Sequence, residues 1–269
     1  MRPNRNQRRV EYSKECKNMI FENLSSNEKI NEWIAKSYAE CKSAYPIPKK
    51  GKIAFDIGAN VGGFCIHAHK KFDKIYAFEP LIENYQVARS VLENMNIKNV
   101  DLYNTAIYSE SGKTLPIFGN NSGLISGDVT IVAEEEDPNY SNLNQTCETI
   151  SLKDAMESLG VDFIDYLKLD CEGSEYEILE NFQDYDKIKF ICMEIHGVSS
   201  YNHQRKINLL KMLHENYHYV DLYDNARVYK SLSELINKSE KNDFMKYEKS
   251  SNLFLVNRNL NEMRFVYKK

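Results

Sequence analysis

The sequence contains no long apolar run. No stretch approaches the roughly 20 apolar residues that a membrane-spanning helix needs. The first residues also lack the apolar centre of a secretory signal. These absences predict a soluble cytoplasmic protein that has no membrane partner.

Paired cysteines and an excess of basic residues are also missing. The six cysteines include no CxxC pair, which argues against a zinc knot or a thioredoxin-type redox site. The formal net charge is -4, so the chain has no global basic field of the kind that marks nucleic-acid binders. The basic segment MRPNRNQRR, residues 1–9, is interpreted as a solvated terminus. A nucleic-acid partner is disfavoured but stays open.

From Lys52 onward, short apolar runs alternate with amphipathic segments. This pattern is typical of βαβ units and predicts an α/β fold with a parallel sheet and helices on both faces. The last run follows a long connection without a clear crossover helix, so we expect its strand to be inserted antiparallel. The seven predicted strands lie at 52–57, 74–78, 100–105, 162–170, 187–195, 217–223 and 252–258.

Helical periodicity marks the segments between the strands and most of the N-terminal region. The sequence predicts a helical extension over residues 1–50, broken at Ser25-Ser26-Asn27, and a main domain over 51–269. Ser174 with Glu177 has the spacing of a capping box, and Ser151 precedes another helix. The predicted helices of the main domain lie at 62–71, 82–96, 152–159, 174–182 and 203–216.

Residues 113–147 depart from this pattern. The segment combines several glycines, Pro138, two short β-like pieces and the acidic run 134–137. Long irregular insertions in compact domains are usually functional or disordered. We expect a hairpin lid near the ligand.

The loop FDIGANVGG, residues 55–63, ends the first predicted strand in glycines. Glycine lets the backbone approach a ligand closely, because it has no Cβ and tolerates positive φ. Glu79 ends the second strand about 20 residues later, where a carboxylate can bind ribose hydroxyls. Together these features predict a nucleoside-bearing cofactor.

The spacing of the loop helps to choose among such cofactors. It is GxxxGG instead of the dinucleotide GxGxxG, and Asp56 precedes it. A carboxylate there would repel a pyrophosphate but would suit an ammonium group. On charge, S-adenosylmethionine is therefore favoured over NAD.

A second group of polar residues follows the two central strands. Asp170 and Glu172 come after the strand at 162–170, and Glu194 and His196 share one face of the next strand end. Ligands of open α/β sheets bind at such strand ends. Lys168 shares a face with Asp170, and we interpret it as half of a structural ion pair beneath the site.

The segments DIGANVGGF, YAFEP, NTAI, LKLDCEGSEYEIL and MEIHG, in this order, resemble the FkbM-type family of S-adenosylmethionine-dependent methyltransferases. The resemblance covers residues 53–197. It implies a Rossmann-like, seven-stranded class I methyltransferase sheet and commonly O-methylation of sugars or natural products. It also implies a set of cofactor contacts: Asp56, Gly58, Asn60 and Gly62 for the loop and the methionine part, Glu79 for the ribose, Asn104, Thr105 and Ala106 for the adenine, and Asp170 for the methionine end.

Transfer of a methyl group to a hydroxyl requires alignment and a base. His196 or Glu172 is the predicted base, with Asp170 and Glu194 orienting the substrate. Asp170 and Glu194 can alternatively bind a divalent ion such as Mg²⁺. The predicted acceptor is a small molecule or glycan. A nucleic-acid methyltransferase, a cofactor-binding protein without turnover and the oligomeric state stay open.

Overall fold

The computed structural model describes residues 27–119, 129–132, 141–196, 203–224, 227–229, 233, 236 and 250–257. Its strands are β1 (Gly51–Ile57), β2 (Phe72–Phe78), β3 (Val100–Tyr103), β4 (Ala106–Tyr108), β5 (Thr114–Gly119), β6 (Val129–Thr130), β7 (Ser141–Ser151), β8 (Ile164–Leu169), β9 (Ile188–His196), β10 (Tyr217–Asp224), β11 (Arg227–Tyr229) and β12 (Ser250–Asn257). Its helices are α1 (Glu28–Ala44), α2 (Gly63–Ala68), α3 (Ile82–Asn94), α4 (Leu152–Ser158), α5 (Glu175–Asn181) and α6 (His203–Asn216), and a 3-10 turn spans Tyr185–Lys187.

The main sheet has the strand order β11-β10-β12-β9-β8-β1-β2-β3. Strands β3, β2, β1, β8 and β9 are paired in parallel. Strand β12 is antiparallel to both β9 and β10, which confirms the predicted insertion of the last strand. Because β1, β2 and β8 run in the same direction, their carboxyl ends meet at one edge of the sheet.

The prediction of seven strands was wrong by one. All seven predicted strands form in the main sheet, and β11 adds an eighth at its edge by pairing with β10. Strand β11 has only three residues, Arg227–Tyr229, and such a short piece shows no recognisable hydrophobic period.

Helices cover both faces of the sheet, as predicted. On one face, Phe55 of β1 and Leu167 of β8 belong to a core cluster with Leu179 of α5 and Leu210 of α6. On the other face, Ala54 and Tyr166 of the same strands pack with Phe64 of α2. Burial on both faces explains why most residues of the central strands are apolar.

A second sheet has the order β4-β7-β5-β6, and β5, β6 and the first part of β7 come from the segment predicted as an irregular insertion. Strand β7 pairs in parallel with β4 and antiparallel with β5. Residues 120–128 and 133–140 of that segment lie outside the described residues. The two β-like pieces recognised in the sequence correspond to β5 and β6, which pair antiparallel as expected for a hairpin. The lid role stays a prediction.

Helix α1 is the second half of the predicted N-terminal extension. It begins after Asn27, whose side chain accepts a hydrogen bond from the Lys29 N–H at 3.0 Å, which agrees with the predicted break. Residues 1–26, including the first predicted helix and the basic segment, lie outside the described residues. None of the helices described in the structure is both long and apolar enough to cross a bilayer.

Candidate functional site

A cleft lies where β1, β2 and β8 end. Several predicted site residues line it, namely Gly58, Asn60, Glu79, Thr105, Ala106, Asp170 and Glu172. Others lie outside this lining, namely Asp56, Gly62, Asn104, Glu194 and His196.

Gly58 brings the loop after β1 against the turn after β8. Its φ is +76°, and a Cβ at this position would lie 1.9 Å from the carbonyl oxygen of Asp170. Any side chain would therefore collide with that backbone. Gly62 has a φ of +85° but only ordinary contacts around its Cβ position, so the backbone conformation alone requires glycine there.

Glu79 is a buried carboxylate at the wall of the cleft, only 4% exposed. It accepts hydrogen bonds from the backbone N–H groups of Asn60 at 2.7 Å and Leu81 at 3.0 Å. Burial raises its pKa to about 7. The Asn84 side chain also donates a hydrogen bond to it. A carboxylate has about four acceptor positions, so one remains for a hydroxyl group of a ligand.

Next to Glu79 the cleft is apolar. Phe78, Ile107, Val129 and Ile131 line this part, and the last two belong to the segment predicted as a lid. Sequence patterns did not identify them as site residues. Such a wall suits a flat aromatic base.

Asn104 supports the turn after β2 and does not line the cleft. Its side-chain amide donates hydrogen bonds to the carbonyl oxygens of Glu79 and Pro80, both at 2.9 Å. Its donor group is therefore used by the backbone, and the adenine contact of Asn104 stays a prediction. Thr105 and Ala106 do line the cleft.

Asp56 lies beneath the loop and is fully buried. Its carboxylate pairs with the ammonium group of Lys168 at 3.1 Å and accepts a hydrogen bond from Cys65 at 3.2 Å. Lys168 also donates to the carbonyl oxygen of Gly58 at 2.5 Å. The predicted structural ion pair is present, but its acid is Asp56. The argument that Asp56 selects an ammonium-bearing cofactor was therefore wrong, since Lys168 already neutralises it.

The turn after β8 is held by Glu175, a fully buried carboxylate. It accepts hydrogen bonds from the backbone N–H groups of Cys171 at 2.9 Å and Gly173 at 3.0 Å. The turn places Glu172 in a left-handed conformation with a φ of 51°. Its side chain thereby joins the cleft wall beside Asp170.

The predicted capping box at the start of α5 does not form. Ser174 is the N-cap, but its side chain makes no capping hydrogen bond, and Glu177 instead pairs with Arg205 at 2.7 Å. The Ser174 hydroxyl is buried, lacks a hydrogen-bond partner and lines the cleft. The prediction for Ser151 is confirmed, because its side chain accepts a hydrogen bond from the Asp154 N–H at 3.0 Å.

His196 lies between two carboxylates. Its Nδ1 is 3.0 Å from Glu175, and its Nε2 is 3.2 Å from Glu172. Burial alone would lower the pKa of His196, but Glu175 and Glu172 outweigh this effect and raise its pKa well above the usual value. This shift favours the protonated imidazole, which cannot accept a proton, and so favours Glu172 over His196 as the base. The role of His196 as the base stays a prediction.

Asp170, Glu172 and His196 form the group that can hold a cation. One ligand atom from each lies within 4.8 Å of the others, and the His196 Nε2 to Asp170 Oδ1 distance is 4.0 Å. Glu194, the predicted partner of Asp170 in a metal site, is not a member of this group. Glu194 and His196 lie on the same face of β9, but the negative charge of Glu194 acts on Tyr45, whose pKa it helps to raise.

Comparisons with known proteins identify the family of this chain. The model of the FkbM methyltransferase domain matches residues 56–231. The chain is similar to the 31-O-demethyl-FK506 methyltransferase FkbM of Streptomyces tacrolimicus, with 27% identity covering 56% of this chain and 67% of that protein.

Among solved structures, the chain is similar to an rRNA methylase from Streptococcus thermophilus, with a TM-score of 0.42, 11% identity and coverage of 83% of this chain and 95% of that one. It is also similar to Trm5b from Pyrococcus abyssi, with a TM-score of 0.45, 11% identity and coverage of 82% and 49%. The family assignment depends on the domain match, which includes the glycine loop, Glu79 and the turn after β8. The chain belongs to the FkbM family of methyltransferases.

Proposed function

We propose that the chain is an S-adenosylmethionine-dependent O-methyltransferase that acts on a hydroxyl group of a sugar, glycan or other small molecule. One observation carries the proposal. A single cleft joins an apolar wall beside Glu79 to the carboxylates of Asp170 and Glu172.

The residues of the cleft fit this cofactor. The apolar wall suits the adenine, and the remaining acceptor position of Glu79 suits a ribose hydroxyl. Asp170 is the carboxylate that can attract the cationic methionine end, the role for which the sequence suggested Asp56. When bound, the cofactor supplies a methyl group on a positively charged sulfur atom.

The charge at the other end of the cleft favours a hydroxyl acceptor over a nucleic acid. Asp170 and Glu172 line this end, with Glu175 behind them, and their charges oppose the approach of a phosphate backbone. Carboxylates accept hydrogen bonds from neutral hydroxyl groups. The relative from Streptomyces tacrolimicus is by its name a methyltransferase of 31-O-demethyl-FK506, which agrees with a small-molecule acceptor.

Glu172 is the proposed general base. Burial raises its pKa above the usual value, although His196 opposes part of this effect. A carboxylate with a raised pKa accepts a proton from a hydroxyl group more readily. The imidazolium of His196, held by Glu175, keeps the Glu172 carboxylate in place.

A divalent metal ion would bind at Asp170, Glu172 and His196. One imidazole with two carboxylates suits Mn²⁺ or Fe²⁺ better than Mg²⁺. Bound there, the ion would polarise the acceptor hydroxyl. Since the ion pair between Glu172 and His196 already satisfies both groups, the proposed mechanism does not require a metal.

Calorimetry and a transfer screen test the proposal. We expect S-adenosylhomocysteine to bind with micromolar affinity and NAD not to bind; the opposite result would exclude the proposed cofactor. A labelled-methyl screen across sugars, polyketides, RNA and peptides then identifies the acceptor, with parallel samples containing EDTA, Mg²⁺ or Mn²⁺. Labelling of RNA alone would favour the nucleic-acid alternative, and binding without any transfer would favour a protein without turnover.

The affinity for S-adenosylhomocysteine is expected to fall by about tenfold between pH 8 and pH 6, because Glu79 takes up a proton as the pH drops through about 7. In the protein without ligand, the raised pKa of Glu79 has the opposite effect on folding stability. Because this pKa is higher in the folded protein than in the unfolded chain, folding takes up a proton. The free energy of unfolding therefore increases as the pH falls from about 7 toward 4.5, the pKa of the carboxyl group in the unfolded chain.

Calorimetric titration at several pH values checks this prediction. In Glu79→Gln the affinity should be lower throughout and no longer change between pH 6 and pH 8. A pH dependence that persists unchanged in the variant would show that another group is responsible.

A further inference from the structure

We propose that helix α1 and the residue after it complete the active site, with Tyr45 as the positioning residue for Asp170. The inference rests on the proposed function, because it concerns the same cleft. Tyr45 precedes residues 56–231, which match the family model, so the domain match alone does not include this side chain.

Tyr45 makes a direct hydrogen bond to the site. Its hydroxyl group donates to Asp170 Oδ2 at 2.6 Å, and the residue is only 3% exposed. Burial, together with the charge of Asp170, raises the pKa of Tyr45 well above its usual value, so the hydroxyl group stays protonated. Hydrogen bonds of this length between a hydroxyl group and a carboxylate are among the stronger ones in proteins.

The position of Tyr45 is fixed from several sides. Its ring packs edge-to-face on Phe64 of α2, with 6.0 Å between the ring centroids, and the Lys168 ammonium group lies 5.7 Å from its centroid. The next residue, Pro46, accepts a hydrogen bond from the Tyr166 hydroxyl group at 3.0 Å. The donor to Asp170 is therefore held by the core of the domain.

Helix α1 is closely docked on α2. A Cβ on Gly63 would lie 2.3 Å from the Ser37 hydroxyl oxygen, so glycine is needed for the two helices to approach. Ile34 is fully buried in a cluster with Val61 and Ile66. This packing shows that α1 is part of the domain.

The same helix also reaches the other end of the cleft. Trp33 of α1 donates from its indole N–H to Asn60 Oδ1 at 3.2 Å. The backbone N–H of Asn60 in turn donates to Glu79. Helix α1 and Tyr45 thus contact the glycine loop at the proposed ribose end and Asp170 at the proposed methionine end.

The hydrogen bond from Tyr45 decides which oxygen of Asp170 faces the reacting groups. With Oδ2 held by Tyr45, Oδ1 is the oxygen that lies 4.0 Å from His196 Nε2. Without the donor, the carboxylate can rotate away from this orientation. Tyr45 therefore acts on the ligand through Asp170.

Tyr45→Phe tests the inference, because it removes the hydroxyl group and keeps the ring. We expect its affinity for S-adenosylhomocysteine to fall by about tenfold, the effect of losing a hydrogen bond to a charged group. Tyr38→Phe is the matched control, since Tyr38 lies on the same helix outside the cleft lining, and its affinity should stay at the wild-type value. Urea unfolding of each variant verifies that the variant is folded under the conditions of the affinity measurement.

A double-mutant cycle separates positioning from a purely structural role. If Tyr45 acts through Asp170, adding Tyr45→Phe to Asp170→Asn should cause no further loss of affinity. Trp33→Phe gives a second measurement, and we expect its affinity for S-adenosylhomocysteine to fall by about threefold.

Losses that add in the double variant, or a Tyr45→Phe affinity equal to wild type, would overturn the inference while leaving the proposed function intact. If the wild type itself does not bind S-adenosylhomocysteine, the proposed function is wrong and this inference falls with it.

Discussion

Glu172→Gln is expected to lower kcat by about 10²- to 10⁴-fold, the range that a general base contributes, while the affinity for S-adenosylhomocysteine stays nearly unchanged. Glutamine preserves the shape of the side chain but cannot take a proton from the acceptor. Single-turnover rates with the acceptor found in the transfer screen measure the effect on the chemical step. The pH dependence that Glu172 confers on turnover should disappear in the variant.

The control for this variant is Glu157→Gln. Glu157 is an exposed carboxylate on α4 that pairs with Lys153, so its loss should leave kcat at the wild-type value. His196→Gln distinguishes the two bases considered from the sequence. A kcat retained in Glu172→Gln and lost in His196→Gln would show that the imidazole is the base and that our assignment is wrong.

Gly58→Ala is expected to abolish measurable cofactor binding and to lower the free energy of unfolding by at least about 3 kcal/mol. The added Cβ would lie 1.9 Å from the carbonyl oxygen of Asp170. The loop after β1 and the turn after β8 would have to separate to relieve this overlap. Both form walls of the cleft, so the ligand would lose contacts on two sides.

Gly112→Ala isolates the effect of the collision. Gly112 has a φ of +77°, almost equal to the +76° of Gly58, but no atom lies within 4 Å of its Cβ position. Its substitution should cost about 1 to 2 kcal/mol for the backbone strain alone and leave binding unchanged. Urea unfolding measures the loss of stability in both variants, and calorimetry measures their ligand binding. Equal losses of stability would mean that the close approach at Gly58 is not rigid.

Much of the central sheet could be predicted because strands that are buried on both faces are rich in apolar residues. Strands β1 and β8 are mostly apolar, with two charged residues in each. Strand β11 could not be found in this way, because three residues carry no period. In the second sheet, β5 and β6 are recognisable in the sequence as two β-like pieces, but the parallel pairing of β7 with β4 depends on tertiary structure.

The site was predictable where a residue ends a strand and not where its role depends on a partner. Glu79, Asp170 and Glu172 follow β2 and β8 and line the cleft as expected. Asp56 also lies at a strand end, but it pairs with Lys168, a contact that spans more than a hundred residues of sequence.

His196 shows the same limitation. Burial would lower its pKa, but Glu175 and Glu172 raise it, and the contact with Glu175 depends on tertiary structure. Tyr45 was missed because it lies 125 residues from Asp170 and outside every recognised motif.

The ion pair between Asp56 and Lys168 determines how dissolved salt can act on the cleft. Both side chains are almost completely buried, so mobile ions screen their attraction very little. Their charges cancel, and the field that a ligand meets comes mainly from Asp170 and Glu172, which solvent ions can reach. Ionic strength therefore changes the attraction for a cationic ligand without loosening the loop that holds it.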